Sequence, residues 1–353
     1  MRTLKQMAKR TAPSLSAKMG RLVRQFASPP IQEKLVAAEP PVSLSSIPYD
    51  IYSMEYADFF RPLIVDKLLA DDEKAELGSP SVTHNINEHH YRRAQRFHDH
   101  LVPWAKAVFP LEGATVLEIG SGSGSSTLAF APYVKEIHCY EIDPNPIACA
   151  RARLDFFGVK NVFFEEELFD PNARFVKEGR KADVILLVAV LEHMTFQELE
   201  TILTTGMNAL LPGGIILIAE TPNRLSVFDY HTSWLHFFQW LPFEVRKRYY
   251  EHSPRPHFVH DSKTTLQSGK DLNLQWIRWG SGISFHEFEI VFGPQVHDWI
   301  IADGWEDAVR PLAPVVTDDT ILLDTFDRCK IQANKAFARS WLYMILQKPL
   351  PAA

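Results

Sequence analysis

The chain has 353 residues, of which 46% are hydrophobic and 23% charged, and a formal net charge of −6. This composition supports a sizeable buried core and excludes global disorder, and the acidic balance argues against a general nucleic-acid binder. No apolar run reaches the roughly 18 residues that span a bilayer. The only cysteines, Cys139, Cys149 and Cys329, form no C-x-x-C pair, so Cys139 and Cys149 read as buried thiols in a reducing compartment.

Residues 1–45 read as a basic tail and linker. Arg2, Lys5, Lys9, Arg10, Lys18, Arg21 and Arg24 precede the first acid, Glu33, while Leu15, Met19, Leu22, Val23 and Phe26 recur at helical spacing. Three readings stay open: a solvated tail, an amphipathic helix through residues 1–28 on an anionic membrane surface, and an organelle transit peptide. The expected location is cytoplasmic, with peripheral contact at the inner membrane face as one form of it; a mitochondrial address is the alternative. Pro29-Pro30 and Pro40-Pro41 with Ser43, Ser45 and Ser46 mark the linker.

Residues 46–110 read as an N-terminal helical lid, with one helix over Ala57–Leu69 and a second from about Asn87 to Phe109. His89, His90, His98 and His100 invite a metal reading. Adjacent histidines face different sides of a helix and no spaced H-x-x-x-H completes a set, so no metal site is assigned. Tyr91, Arg92 or Arg93 is placed near a cofactor instead.

Residues 111–220 alternate strand and helix, which predicts an α/β, doubly wound parallel sheet with helices on both faces. Strands are expected at Thr115–Ile119, Glu136–Tyr140, Val162–Phe164, Asp183–Val188 and Ile215–Ala219. The first runs into Gly120-Ser121-Gly122-Ser123-Gly124, where glycines free the backbone and remove Cβ atoms where a ligand approaches. Glu141, about 20 residues after the turn, suits a carboxylate that accepts from two ribose hydroxyls. Asp143-Pro144 opens a helix that buries Ile147, Ala150, Leu154 and Phe157. Thr195-Phe196-Gln197-Glu198 is a capping box, and its helix carries Leu199, Ile202, Leu203, Met207 and Leu210 before stopping at Pro212-Gly213-Gly214.

Together these motifs resemble class I S-adenosylmethionine (SAM)-dependent methyltransferases. The likeness rests on Glu118-x-Gly120-x-Gly122-x-Gly124, on Val190-Leu191-Glu192-His193-Met194 after the fourth strand, and on Leu211-Pro212-Gly213-Gly214 before the fifth. Glu220-Thr221-Pro222-Asn223-Arg224 is similar to the branch of ubiquinone-type and related small-molecule enzymes. The resemblance implies a Rossmann-like sheet and SAM as cofactor. It assigns cofactor binding to Glu118, Gly120, Ser121, Gly122, Gly124, Glu141, Ile142, Glu167 and Val190. Glu118 would orient the loop and the amino group of the methionine end, Glu141 the ribose, Ile142 the adenine face, and Glu167 or Glu166 the adenine amino group. A dehydrogenase is disfavoured by the glycine spacing.

Residues 221–293 read as an aromatic-rich cap insertion over a substrate pocket, and residues 294–353 as completion of the sheet. The latter would hold a helix at Gln295–Ile301 and strands at Trp305–Arg310 and Ser340–Leu346. A hydroxyl nucleophile needs a proton acceptor, which histidine supplies. The catalytic candidates are His193, then His231 with Asp229 orienting it, then His286 beside Glu287; catalysis by positioning alone stays open. The expected activity is O-methylation of a sugar hydroxyl on a surface glycan or lipid-linked intermediate, so the partner is a small-molecule or glycan acceptor. The alternatives are O-methylation of a quinone or small aromatic, and a non-catalytic SAM-binding scaffold.

Overall fold

The computed structural model describes residues 47–351. The readings of the basic tail, its membrane or targeting role and the linker therefore lie outside the described residues. Among the described residues, no helix is long and apolar enough to cross a membrane.

Seven strands form one sheet in the order β3-β2-β1-β4-β5-β7-β6. They are β1 (Thr115–Ile119), β2 (Glu136–Tyr140), β3 (Val162–Glu165), β4 (Ala182–Val188), β5 (Leu210–Pro222), β6 (Ile300–Ala302) and β7 (Trp341–Gln347). The first five run parallel, and β7 inserts antiparallel between β5 and β6. Chain order reverses between β1 and β4, the switch point where ligands bind in open α/β sheets. This is the expected α/β Rossmann-like sheet.

Both faces of the sheet are covered, and the strand alternation shows it. Leu117, Ile185, Leu187, Ile216, Ile218, Leu342 and Met344 pack into one layer. Val116, Val184, Leu186, Ile215, Leu217, Tyr343 and Ile345 pack into the other. A strand buried on both sides must be apolar at consecutive positions, as in Val184-Ile185-Leu186-Leu187-Val188.

The helix after β2 is Pro144–Phe156, capped by Asp143 as its sequence signals, with Phe157 just past its end. The capping box of Thr195 and Glu198 opens Phe196–Ala209. That helix ends before Leu210, which starts β5 by pairing with Ala182, so the Pro212-Gly213-Gly214 turn is a bulged stretch of strand and not a loop ahead of it.

Three readings need correction. The second N-terminal helix starts earlier, at Pro80, where Ser79 accepts from the Val82 N–H. It continues through π-helical turns at Glu88–Arg92 and Phe97–Leu101 to Val108. Near the C-terminus, Gln295–Ile301 is not a helix: a 3-10 turn over Pro294–Trp299 leads into the edge strand β6. Trp305–Arg310 is not a strand. Gly304 turns at φ 78° and the Glu306 carboxylate accepts from the N–H groups of Asp303 and Gly304, which closes a turn before a strand can form.

Within residues 221–293, Phe238, Tyr250, Phe258 and Trp276 form an aromatic cluster of their own. The helix Phe285–Phe292 belongs elsewhere, because Phe288 packs into the layer beneath the sheet with Leu199 and Leu203.

Candidate cofactor and acceptor site

The glycine loop sits where β1 and β4 end side by side. Gly120 has φ 72°, and a Cβ there would stand 2.4 Å from Val190 Cγ2. Only glycine satisfies both the backbone and this close approach. Gly124, at φ 76°, precedes the buried helix Ser125–Phe130.

Glu118 lies beneath the loop with 1% of its surface exposed. Its carboxylate accepts from the hydroxyls of Ser126 and Thr127, the latter at 2.6 Å, and from the Cys139 thiol. Burial raises its pKa against these bonds. The side chain thus ties the helix that follows the loop to β1 and β2. Ser121 is buried with its hydroxyl beside Cys139.

Glu141 faces the loop from the end of β2. It accepts from Gly122 N at 3.0 Å, Ile142 N at 2.8 Å and Asp143 N at 3.1 Å. Ile142 is 67% exposed, free to cover a flat ring. Glu167 instead accepts from the Arg174 N–H at 3.0 Å, capping the short helix that follows.

The helical run 80–108 closes over this loop. His89 Nδ1 lies 3.2 Å from Ser123 Oγ. Fully buried Arg153 donates to Tyr56 Oη at 3.0 Å, to Ser125 Oγ at 2.9 Å and to the His89 carbonyl. One guanidinium thereby ties the first helix, the lid and the glycine-loop helix together. Arg93 is not free for a ligand carboxylate: it pairs with Glu220 at the end of β5.

Past Val190, a 3-10 turn over Leu191–His193 carries Glu192 and His193. Glu192 is 1% exposed and neither of its carboxyl oxygens has a hydrogen-bond partner among the described residues. Burial pushes its pKa to about 8, although its own amide, Arg93 and the Thr221 hydroxyl pull the other way. His193 Nε2 stands 3.7 Å from Glu192 Oε1, while His193 Nδ1 meets the Arg278 carbonyl at 2.9 Å. The ring of His231 lies 5.8 Å from that of His193. Burial lowers the pKa of both imidazoles, that of His231 to about 4, so both are neutral near pH 7.

One orienting role is corrected. Asp229 does not reach His231: its carboxylate accepts from the N–H groups of Thr232 and Ser233, and His231 Nδ1 meets Thr232 Oγ1 at 3.2 Å. Glu287 accepts from Ser284 and pairs with Arg224. His286 stacks on Phe285 at the exposed start of its helix and does not join the His193–His231 pair. Nothing local in Leu191-Glu192-His193 signals in the sequence that the Glu192 side chain turns inward.

Residues 117–216 match a family model described as a methyltransferase domain. The matched stretch runs from within β1 to within β5 and holds the glycine loop, Glu141 and Glu192. No curated protein matches the chain. Among solved structures, a SAM-dependent methyltransferase from Clostridium acetobutylicum is 13% identical, with 43% of this chain and 61% of that one covered and a TM-score of 0.36. The N-methyltransferase NodS from Bradyrhizobium japonicum is 18% identical, with 46% and 74% covered and a TM-score of 0.30. The amino pentose methyltransferase CalS10 from Micromonospora echinaspora is 19% identical, with 40% and 56% covered and a TM-score of 0.32. This chain therefore spans about three fifths of the first structure's length, and overall likenesses this low do not bear on substrate.

Proposed function

We propose that this protein transfers the methyl group of SAM to a hydroxyl of a sugar, on a surface glycan or a lipid-linked intermediate. The observation that carries this reading is the pair of neutral imidazoles, His193 and His231, held beside Glu192 one turn past Val190. A hydroxyl is scarcely ionised near neutrality, so a nucleophile of this kind needs such a polar, proton-accepting corner.

Bound SAM would supply a methyl group already activated on a sulfonium. As the O–C bond forms, the S–C bond breaks and its electron pair stays on sulfur, while the hydroxyl proton passes to an imidazole. Glu141, Ile142, Val190 and the glycines would hold the nucleoside end, and the lid would keep water out.

A second acceptor class, a quinone or small aromatic, is favoured by one feature. Phe237 and Trp240 stand with ring centroids 5.1 Å apart and are 47% and 51% exposed, a surface on which a flat ring can stack. The basic segment 1–28 would add peripheral membrane contact, which suits a lipid-linked acceptor.

The test is methyl transfer from labelled SAM to panels of glycans and phenols, with full-length protein and a variant lacking residues 1–45. Transfer to glycan hydroxyls supports the first reading, and transfer to phenols alone the second. Unaltered vesicle binding and glycan activity after the deletion would remove the membrane role. Absence of any methyl transfer, with SAM still bound, would leave a scaffold.

A further inference from the structure

We propose that Glu192, His193 and His231 form a binding site for a divalent transition-metal ion of the zinc class. One ligand atom from each lies within 4.8 Å of the other two, the tightest such grouping of these residue types among the described residues. Two imidazoles and a carboxylate are a donor set suited to Zn²⁺ or Fe²⁺, with positions left open for a substrate oxygen.

The hydrogen bonds around the triad set the ligand atoms. The Arg278 carbonyl can only accept, so His193 carries its proton on Nδ1 and leaves a bare Nε2 toward Glu192. Thr232 gives its hydroxyl proton to the Gly280 carbonyl, so its oxygen is free to accept from His231 Nδ1, which leaves the other nitrogen of that ring bare too. An imidazole that donates its far N–H to a protein oxygen is oriented as metal-bound histidines are.

Two further observations point to an occupant. The Glu192 carboxyl is buried, and among the described residues neither oxygen has a hydrogen bond of good geometry, its own amide and the Thr221 hydroxyl standing near without closing one, an arrangement that costs stability unless something binds it. The corner is also built to leave space: Gly280 has φ 119°, and a Cβ on it would fall 2.3 Å from His231 Cε1 and 3.4 Å from Glu192 Cγ. Arg278 and the Ser281 N–H, which reaches the Glu192 carbonyl at 2.8 Å, clamp the 272–280 helix onto this turn. Tetrahedral ligand atoms about 2.0–2.2 Å from an ion lie about 3.5 Å apart, so the widest pair here closes by about 1 Å on binding.

The role of the ion rests on the methyl-transfer reading, whereas its binding does not. A bound ion replaces the imidazole route to the proton given above: with both imidazoles spent as ligands, the cation acidifies the acceptor hydroxyl and its proton leaves to solvent.

The test is titration of chelator-treated full-length protein with Zn²⁺, and with Co²⁺ followed by its visible d–d absorption, each beside a separate SAM titration. One equivalent should bind, with a cobalt spectrum of nitrogen and oxygen ligands and no sulfur. Glu192→Gln and His231→Ala should each weaken zinc binding at least about tenfold while SAM still binds, which shows that the variants are folded. No metal binding by the wild-type protein, or equal binding by both variants, overturns the site even if SAM binds normally. Metal binding without SAM binding would sustain the site and remove its proposed role.

Discussion

Gly120 and Val190 meet where β1 and β4 end, with no room for even one added carbon between them. This contact joins the cofactor loop to the turn that carries Glu192 and His193. A Gly120→Ala substitution must both strain a left-handed residue and displace Val190. It should destabilise the protein by about 2–4 kcal/mol in urea unfolding and abolish SAM binding by calorimetry. Unchanged stability would mean that the loop is not built against β4.

Glu141 accepts three backbone N–H groups from the loop and from its own turn. Replacing it with alanine should weaken SAM binding by about 1–3 kcal/mol, the size of lost charge-assisted hydrogen bonds. Unchanged affinity on titration would sink the ribose assignment.

The Arg153 side chain touches the first helix, the lid and the loop helix at once. Arg153→Met keeps much of the apolar stem but strands two hydroxyls and a carbonyl. A loss of about 2–4 kcal/mol in unfolding free energy is expected, together with weaker SAM binding. If only stability falls, the lid is not coupled to the cofactor.

His90 is buried, stacks on Tyr56 with ring centroids 4.9 Å apart, and has no hydrogen-bond partner on either ring nitrogen among the described residues. Burial, with Arg61 and Arg153 nearby, lowers its pKa to about 4. The unfolded chain binds a proton near pH 6.5 that the folded chain refuses until about pH 4, so stability must fall as pH drops through that window. His90→Phe should make the fall shallower in denaturation at pH 7.5 and 5. An unchanged slope would place the titration elsewhere.

The part of the site legible in the sequence is the part made by neighbours in the chain. Strand, glycine turn and the acid after β2 lie within about 25 residues, and steric rules for each are local. What escaped notice depends on distant contacts. Glu192 reads as an ordinary acid until Gly280 and His231, from elsewhere in the chain, close over it. β6 is three residues long and is a strand only because β7 lies beside it, so its helix-like spacing misled. Arg93 looked free for a ligand because its partner Glu220 is more than a hundred residues away. The aromatic content of 221–293 reads as the lining of a substrate pocket, yet Phe238, Tyr250, Phe258 and Trp276 are spent on a core of that segment's own.

The central claim is that the β1–β4 crevice binds SAM. Its most direct test is calorimetric titration of purified protein with SAM, S-adenosylhomocysteine and NAD separately. The account predicts micromolar binding of the first two and none of NAD. Binding of NAD alone, or of none of the three, would contradict it.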